Sequence, residues 1–190
     1  STFTANAAGD PAASDGGEGG ALYTDGSGTV SVTRSTFADN TAAGEGGGIT
    51  FRSFGAVIFT DSTVHSNTAA TGGGINNGAA DVTFARLTVR DNRANHDGGG
   101  ILNQGSGAFT LEDSDIYRNT AENGGGMTND ADGTVAVTRV TFWDNRALLT
   151  PGGEDSGLGG GIYSLGDAGA VPQGISDAER RSLTRIGQIG

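Results

Sequence analysis

The sequence predicts an all-β protein whose chain winds into a stack of similar coils, and three repeating features support this prediction. A run of three glycines followed by an apolar residue returns about every 26 residues. An apolar residue stands three positions before an asparagine at a similar spacing. Between these two markers, two apolar residues are separated by a single residue. A fixed period of this length is the signature of a repeat architecture.

The glycine runs predict the bend that opens each coil and the first strand that follows it. Glycine tolerates a left-handed backbone and lets neighbouring chains approach closely. The apolar residues after the runs are Ile49, Ile75, Ile101, Met127 and Ile162, with Leu22 after a degenerate first copy.

The alternating apolar pairs predict a second strand, because period-two alternation buries one face of a strand. These pairs are Val30/Val32, Val57/Phe59, Val82/Phe84, Phe109/Leu111 and Val135/Val137. The apolar residue before each asparagine predicts a third short strand.

Three strands of this length do not make a stable sheet alone, but each can pair in parallel with its equivalent in the next coil at about 4.8 Å. Connections between parallel strands are right-handed. We therefore predict a right-handed parallel β-helix, or β-solenoid, of about six coils with three short strands per coil. A solenoid folds around a thin apolar column, which agrees with a hydrophobic content of 34% and 36 glycines.

Stacking makes equivalent residues neighbours, and two polar columns support the alignment. A structural ladder is predicted for the marker asparagines, whose amides can bond to one another and to the backbone of a turn. Its members are Asn40, Asn67, Asn92, Asn119 and Asn145, with Asn6 before them. The second column alternates in charge, which places opposite charges next to each other. It reads Arg34, Asp61, Arg86, Asp113 and Arg139.

Composition excludes several classes of function. The formal net charge of −11 argues against nucleic acid as a partner, because phosphates would be repelled. The chain has no cysteine, so disulfides and thiolate metal sites are excluded. No apolar run is long enough for a membrane span. Because Ser1 falls inside a repeat, we expect that a leader or earlier coils precede it in the full protein.

The repeat pattern divides the chain into two parts. Residues 1–170 form the predicted β-helix domain, and residues 171–190 form a C-terminal cap or docking segment. Ser176 and Glu179 have the spacing of a capping box, which predicts a short helix from Asp177 to about Arg185. Such a helix would cover the open strand edges of the last coil.

The glycine and asparagine motifs resemble the repeats of bacterial polymorphic outer-membrane proteins, and more broadly those of secreted right-handed β-helix proteins. The resemblance rests on stretches such as 35–42 (STFADNTA) and 72–78 (GGGINNG), and it extends from Ser1 to about Gly166. It implies an extracellular or cell-surface protein with an adhesive or structural role. The outer-membrane barrel of those proteins has no counterpart in this sequence.

One outward column is the best candidate for binding a partner. Arg90, Tyr117 and Trp143 share this column with Ala38 and His65. Aromatic side chains on adjacent coils would form a strip that stacks on sugar rings or contacts a protein. We therefore expect a protein partner or a surface glycan, and membership of a larger assembly is consistent with this expectation.

A truncated polysaccharide-active enzyme, a lyase or a hydrolase, is the alternative. Acid–base catalysis needs two groups that face one bond. Asp39, Asp91 and Asp144 share the position before the asparagine, but Ser66 and Arg118 interrupt them, so acids recur only in alternate coils. We predict no catalytic residue, no metal site and no cofactor. The function expected from the sequence is thus a non-enzymatic structural or recognition module.

Overall fold

The computed structural model of the chain describes residues 1–10, 16–79, 81–148 and 157–165. Every described strand pairs in parallel with its equivalent one coil away, which confirms the predicted β-solenoid. The strands form five complete coils, which begin at Leu22, Ile49, Ile75, Ile101 and Met127. We number these complete coils 1 to 5. A partial coil precedes coil 1 and one further strand follows coil 5, so one of the six asparagine markers belongs to the preceding partial coil.

Each coil passes through four sheets rather than the predicted three. Sheet 1 follows the glycine runs and contains Leu22–Thr24, Ile49–Phe51, Ile75–Asn77, Ile101–Asn103, Met127–Asn129 and Ile162–Ser164. Sheet 2 contains the alternating strands Val30–Thr33, Val57–Thr60, Val82–Ala85, Phe109–Glu112 and Val135–Thr138. Sheet 3 precedes the marker asparagines and contains Thr2–Thr4, Thr36–Ala38, Thr63–His65, Thr88–Arg90, Asp115–Tyr117 and Thr141–Trp143.

Sheet 4 is the one that the sequence pattern did not predict. It contains the two-residue strands Ala7–Ala8, Thr41–Ala42, Thr68–Ala69, Arg93–Ala94, Thr120–Ala121 and Arg146–Ala147. In a strand this short only one residue faces inward, so no alternation is visible. The inward residue is the alanine, whose small side chain suits a tight corner, and from Ala42 to Ala121 it is buried.

The core is a single apolar column enclosed by the sheets. Phe37, Phe51, Phe59, Phe84 and Phe109 are fully buried, with ring centroids of contacting pairs 5.4–6.0 Å apart. The aliphatic residue after each glycine run joins the same cluster. A continuous column of this kind lets a chain with modest apolar content hold a rigid shape.

The described residues contain no helix, and therefore none long and apolar enough to cross a membrane. The predicted helix from Asp177 to about Arg185, and with it the cap or docking segment at 171–190, lies outside the described residues. The proposed boundary between 1–170 and 171–190 stays a prediction.

Candidate functional site

The predicted binding strip lies on the outer surface of sheet 3. Tyr117 is the register partner of both Arg90 and Trp143, and His65 precedes Arg90 in the same column. The structure therefore brings Arg90, Tyr117 and Trp143 together on coils 3, 4 and 5. Trp143 is 45% exposed, so the strip is accessible from outside.

The aromatic rings of the strip stack on each other. The ring centroids of Tyr117 and Trp143 are 4.4 Å apart, and the ring planes differ by 10°. This separation is close to the spacing of about 4.8 Å between paired strands. The ring planes therefore lie across the solenoid axis, and the rings turn their edges, not their faces, outward.

Arg118 holds this stack in place from the neighbouring corner. Its guanidinium carbon lies 5.0 Å from the centroid of Tyr117 and 6.0 Å from that of Trp143, within the range of cation–π attraction. The same guanidinium binds Asp91 of the preceding coil through two nitrogens, at 2.7 and 2.8 Å. Arg90 donates a further hydrogen bond to Asp91 at 2.6 Å. Paired bonds of this type fix the orientation of an arginine.

The corner between sheets 3 and 4 sets the direction of these side chains. The residue before each marker asparagine has a left-handed backbone, with φ of 55° at Asp91 and 51° at Arg118. This conformation costs about 1–2 kcal/mol for a residue with a Cβ. The asparagine ladder beside the corner offsets that cost, because each asparagine side chain bonds to the next coil.

The predicted ladder is confirmed. The Nδ2 atom of each asparagine donates to the Oδ1 atom of the next, at 2.9–3.0 Å from Asn6 to Asn145. The backbone N–H of each one donates to the same Oδ1. Asn40, Asn67, Asn92 and Asn119 are buried, so these amides hold coils together and are closed to an external ligand.

The structure places the alternating charge column on the corner between sheets 2 and 3. Arg86 binds Asp61 at 2.6 and 2.8 Å, and Arg139 binds Asp113 at 2.5 and 2.8 Å. These pairs are exposed, so solvent screens them and each adds little to the folding stability. Their regular spacing supports the register, as the sequence predicted.

The family of the chain follows from a comparison with known proteins. The family model described as the right-handed β-helix region matches residues 19–170. The chain belongs to the right-handed β-helix family. No curated protein and no solved structure matches it. The match fixes the hand of the coil and covers all five complete coils of this β-helix.

The acidic residues of the β-helix corner do not form a carboxylate pair at the strip. Asp91 is engaged by two arginines, and Asp39 and Asp144 are each two coils away from it along the axis. The hydrogen bonds from Arg118, followed by those from Arg90, lower the pKa of Asp91 to about 2. A carboxyl group with this pKa is a poor proton donor or acceptor near neutral pH.

No group of three or more histidine, aspartate or glutamate side chains among the described residues is arranged to hold a metal ion. His65 contacts Ser66 at 3.2 Å, and His96 contacts Glu122 at 3.3 Å on a different part of the surface.

Sequence reasoning missed the role of Arg118. It placed this residue only as an interruption of the aspartate column. The signal that was available is the alternation of Asp91 and Arg118 at the same corner on adjacent coils. A second ladder, in which Asn77 donates to Asn103 and Asn103 to Asn129 at 2.7 Å, was also missed.

Because the pKa of Asp91 is low, we predict that part of the folding stability of this β-helix is lost in acid. The pKa is lower in the folded protein than the ordinary value of 3.8, so the folded state binds fewer protons between the two values. The stabilisation is present above about pH 4 and is lost as the pH falls toward 2. We expect Asp91→Asn to lower the urea midpoint of unfolding at pH 6, and the difference from wild type to shrink at pH 2.5.

Asp39→Asn is the matched control, because Asp39 occupies the same corner position with φ of 56°. Its midpoint should follow that of the wild type at both pH values. An equal effect of both substitutions, or a difference that grows on acidification, would contradict this assignment.

Proposed function

We propose that the chain is a non-enzymatic structural and recognition module of a secreted or cell-surface protein. The module binds a protein or glycan partner through the lateral face formed by sheets 3 and 4 of coils 3–5. One observation carries the proposal: an accessible Tyr117–Trp143 stack held by Arg118 and Asp91 on a rigid sheet. The extracellular location rests on the resemblance of the repeats to those of polymorphic outer-membrane proteins.

The composition of this face supports recognition. Tryptophan, tyrosine and arginine dominate the residues that carry binding energy at protein interfaces. Here Tyr117, Arg118 and Trp143 lie on two adjacent coils and contact one another, so little conformational entropy would be lost on binding. A rigid strip of this kind is pre-organised for contact.

The assignment as a module rather than an enzyme is supported by the environment of Asp91. Asp91, which lies beside the aromatic strip, is held ionised by two arginines, which suits a structural ion pair. Turnover of any member of a panel of neutral and acidic polysaccharides would reverse the assignment and favour the truncated lyase or hydrolase.

Replacement of Trp143 tests the proposed face. The intact native assembly is recovered through the chain, and the neighbouring chains and glycans are identified. We expect Trp143→Ala to weaken retention of the partner about 30-fold, as for a residue that contributes about 2 kcal/mol to an interface. Because Trp143 stacks on Tyr117, the substitution should also lower the folding stability by about 0.5–1.5 kcal/mol and leave the chain folded.

Phe54→Ala is the matched control, because Phe54 is 80% exposed and lies between sheets 1 and 2, away from the strip. Retention should match the wild type. Recovery of free monomer only, or an equal loss from both substitutions, would contradict the proposed face.

A further inference from the structure

We infer that the partner of this face is an extended acidic segment of a protein, which runs along the solenoid axis over coils 3–5. The inference rests on the proposed function and specifies the chemistry of the ligand. Three observations carry it: two arginines without an ion-pair partner, a local reversal of charge, and the orientation of the aromatic rings.

Arg93 and Arg146 are the first observation. Both are exposed on sheet 4, and Thr120 lies between them in register. Most arginines of the described part bind a carboxylate, but no ion pair among residues 1–10, 16–79, 81–148 and 157–165 includes Arg93 or Arg146. Two guanidinium groups are thus available to an incoming ligand on the flank of the aromatic strip.

The second observation is the local charge. This face carries four arginines, Arg90, Arg93, Arg118 and Arg146, against the three aspartates Asp91, Asp115 and Asp144, so its net charge is +1. The whole chain carries −11. Charges farther away than about 8 Å are largely screened at physiological ionic strength. The sign of the local charge therefore decides which ligand is attracted, and the positive charge of this face favours carboxylates.

The third observation separates a protein segment from a glycan. A sugar ring packs flat against the face of an aromatic ring, but the faces of Tyr117 lie along the column, where Trp143 covers one of them. Ring edges that point outward suit contacts with the aliphatic and peptide groups of a protein segment. An acidic polysaccharide would find the arginines but no outward ring face on coil 4.

The spacing of the arginines suits an extended chain. Arg93 and Arg146 are two coils apart, or about 9.6 Å along the axis from the strand spacing. Three residues of a segment in the extended polyproline II conformation cover about 9.3 Å at 3.1 Å per residue, and side chains three apart point the same way. A segment with a carboxylate at every third residue would meet both guanidinium groups at once.

A defined peptide tests this inference with the full chain. The probe is the fluorescein-labelled peptide (Glu-Thr-Tyr)4, with (Gln-Thr-Tyr)4 as its uncharged counterpart, and binding is followed by fluorescence anisotropy. We expect the acidic peptide alone to bind. The double variant Arg93→Gln/Arg146→Gln should weaken binding about tenfold, in line with two exposed ion pairs. Arg34→Gln, an exposed arginine on another corner, should bind like the wild type.

The other outcomes overturn the inference. One is that the chain binds polygalacturonate in preference to the acidic peptide. Another is that it binds no acidic peptide at about 1 mM. A third is that the double variant binds the acidic peptide as tightly as the wild type does. Association of the chain with itself through the same arginines, seen by sedimentation, would also overturn it. Trp143→Ala tests the lateral face independently of the peptide. If this variant loses the native partner while the wild-type chain does not bind the acidic peptide, only the acidic segment is refuted and the lateral face is supported.

Discussion

Asn92→Ala should destabilise the protein by about 3–5 kcal/mol, which is exceptional for one polar side chain. The Oδ1 atom of Asn92 accepts from the backbone and the side chain of Asn67, at 3.0 and 2.9 Å. Its Nδ2 atom donates to the Val64 carbonyl and to Asn119, both at 3.0 Å. Alanine would leave the buried Asn67 N–H without its acceptor, at about 1–3 kcal/mol, and the side-chain amides of Asn67 and Asn119 would each lose a hydrogen bond of about 1 kcal/mol.

The measurement is urea-induced unfolding followed by far-UV circular dichroism. Asn95→Ala is the control on the same coil, since Asn95 is exposed. Its effect should stay within about 0.5 kcal/mol, as for most surface substitutions. If Asn92→Ala were as stable as Asn95→Ala, the ladder would not hold the coils together.

Gly99→Ala is the second substitution with a large expected effect. A Cβ at Gly99 would lie 2.6 Å from the carbonyl oxygen of Thr120 and would also meet the carbonyl of Gly125. Both groups belong to the backbone of the next coil, so a rotamer change cannot relieve the overlap. We expect the coils to be forced apart, with a loss of about 3–5 kcal/mol or failure to fold.

Gly28→Ala is its matched control. A Cβ at Gly28 meets nothing within 4 Å, and the backbone there is not left-handed. Alanine should be neutral or stabilise the protein by up to about 1 kcal/mol, because it restricts the unfolded chain. Thermal unfolding of the two variants should therefore shift in different directions. Equal melting temperatures would show that the glycine runs are not at close contacts.

The fold was predictable because its determinants are periodic. Each inward residue has a counterpart of the same chemistry one coil away. The register between coils can therefore be read from the sequence alone, from pairs such as Ile75 and Ile101 or Asn67 and Asn92. The fourth sheet was not predictable in this way. A strand such as Thr68–Ala69 presents a single buried side chain, and the pattern of one residue does not distinguish a strand from a bend.

The composition of the candidate site was predictable, whereas its geometry was not. Column membership follows from the repeat, so Arg90, Tyr117 and Trp143 were placed together correctly. The direction of the ring planes depends on side-chain torsions and on Arg118, which approaches from the neighbouring corner. That corner has a left-handed backbone without glycine, and nothing in the local sequence indicates it.

The interior and the lateral face of this β-helix have different roles. Inside, buried asparagines and phenylalanines repeat with little change from coil to coil, and they hold the coils at a constant spacing. Outside, each coil is free to carry a different side chain at the same position, as the column from Ala38 to Trp143 illustrates. A constant interior thus supports a surface on which binding residues are arranged at fixed intervals.

The hydrogen bonds between coils can be observed directly in solution. In a long-range HNCO spectrum, the stacked register predicts a coupling between the backbone nitrogen of Asn67 and the side-chain carbonyl carbon of Asn92, across the bond of 3.0 Å. The amide proton of Asn67 should also exchange slowly with solvent. Absence of the coupling together with rapid exchange, or a coupling to any other residue, would contradict the account.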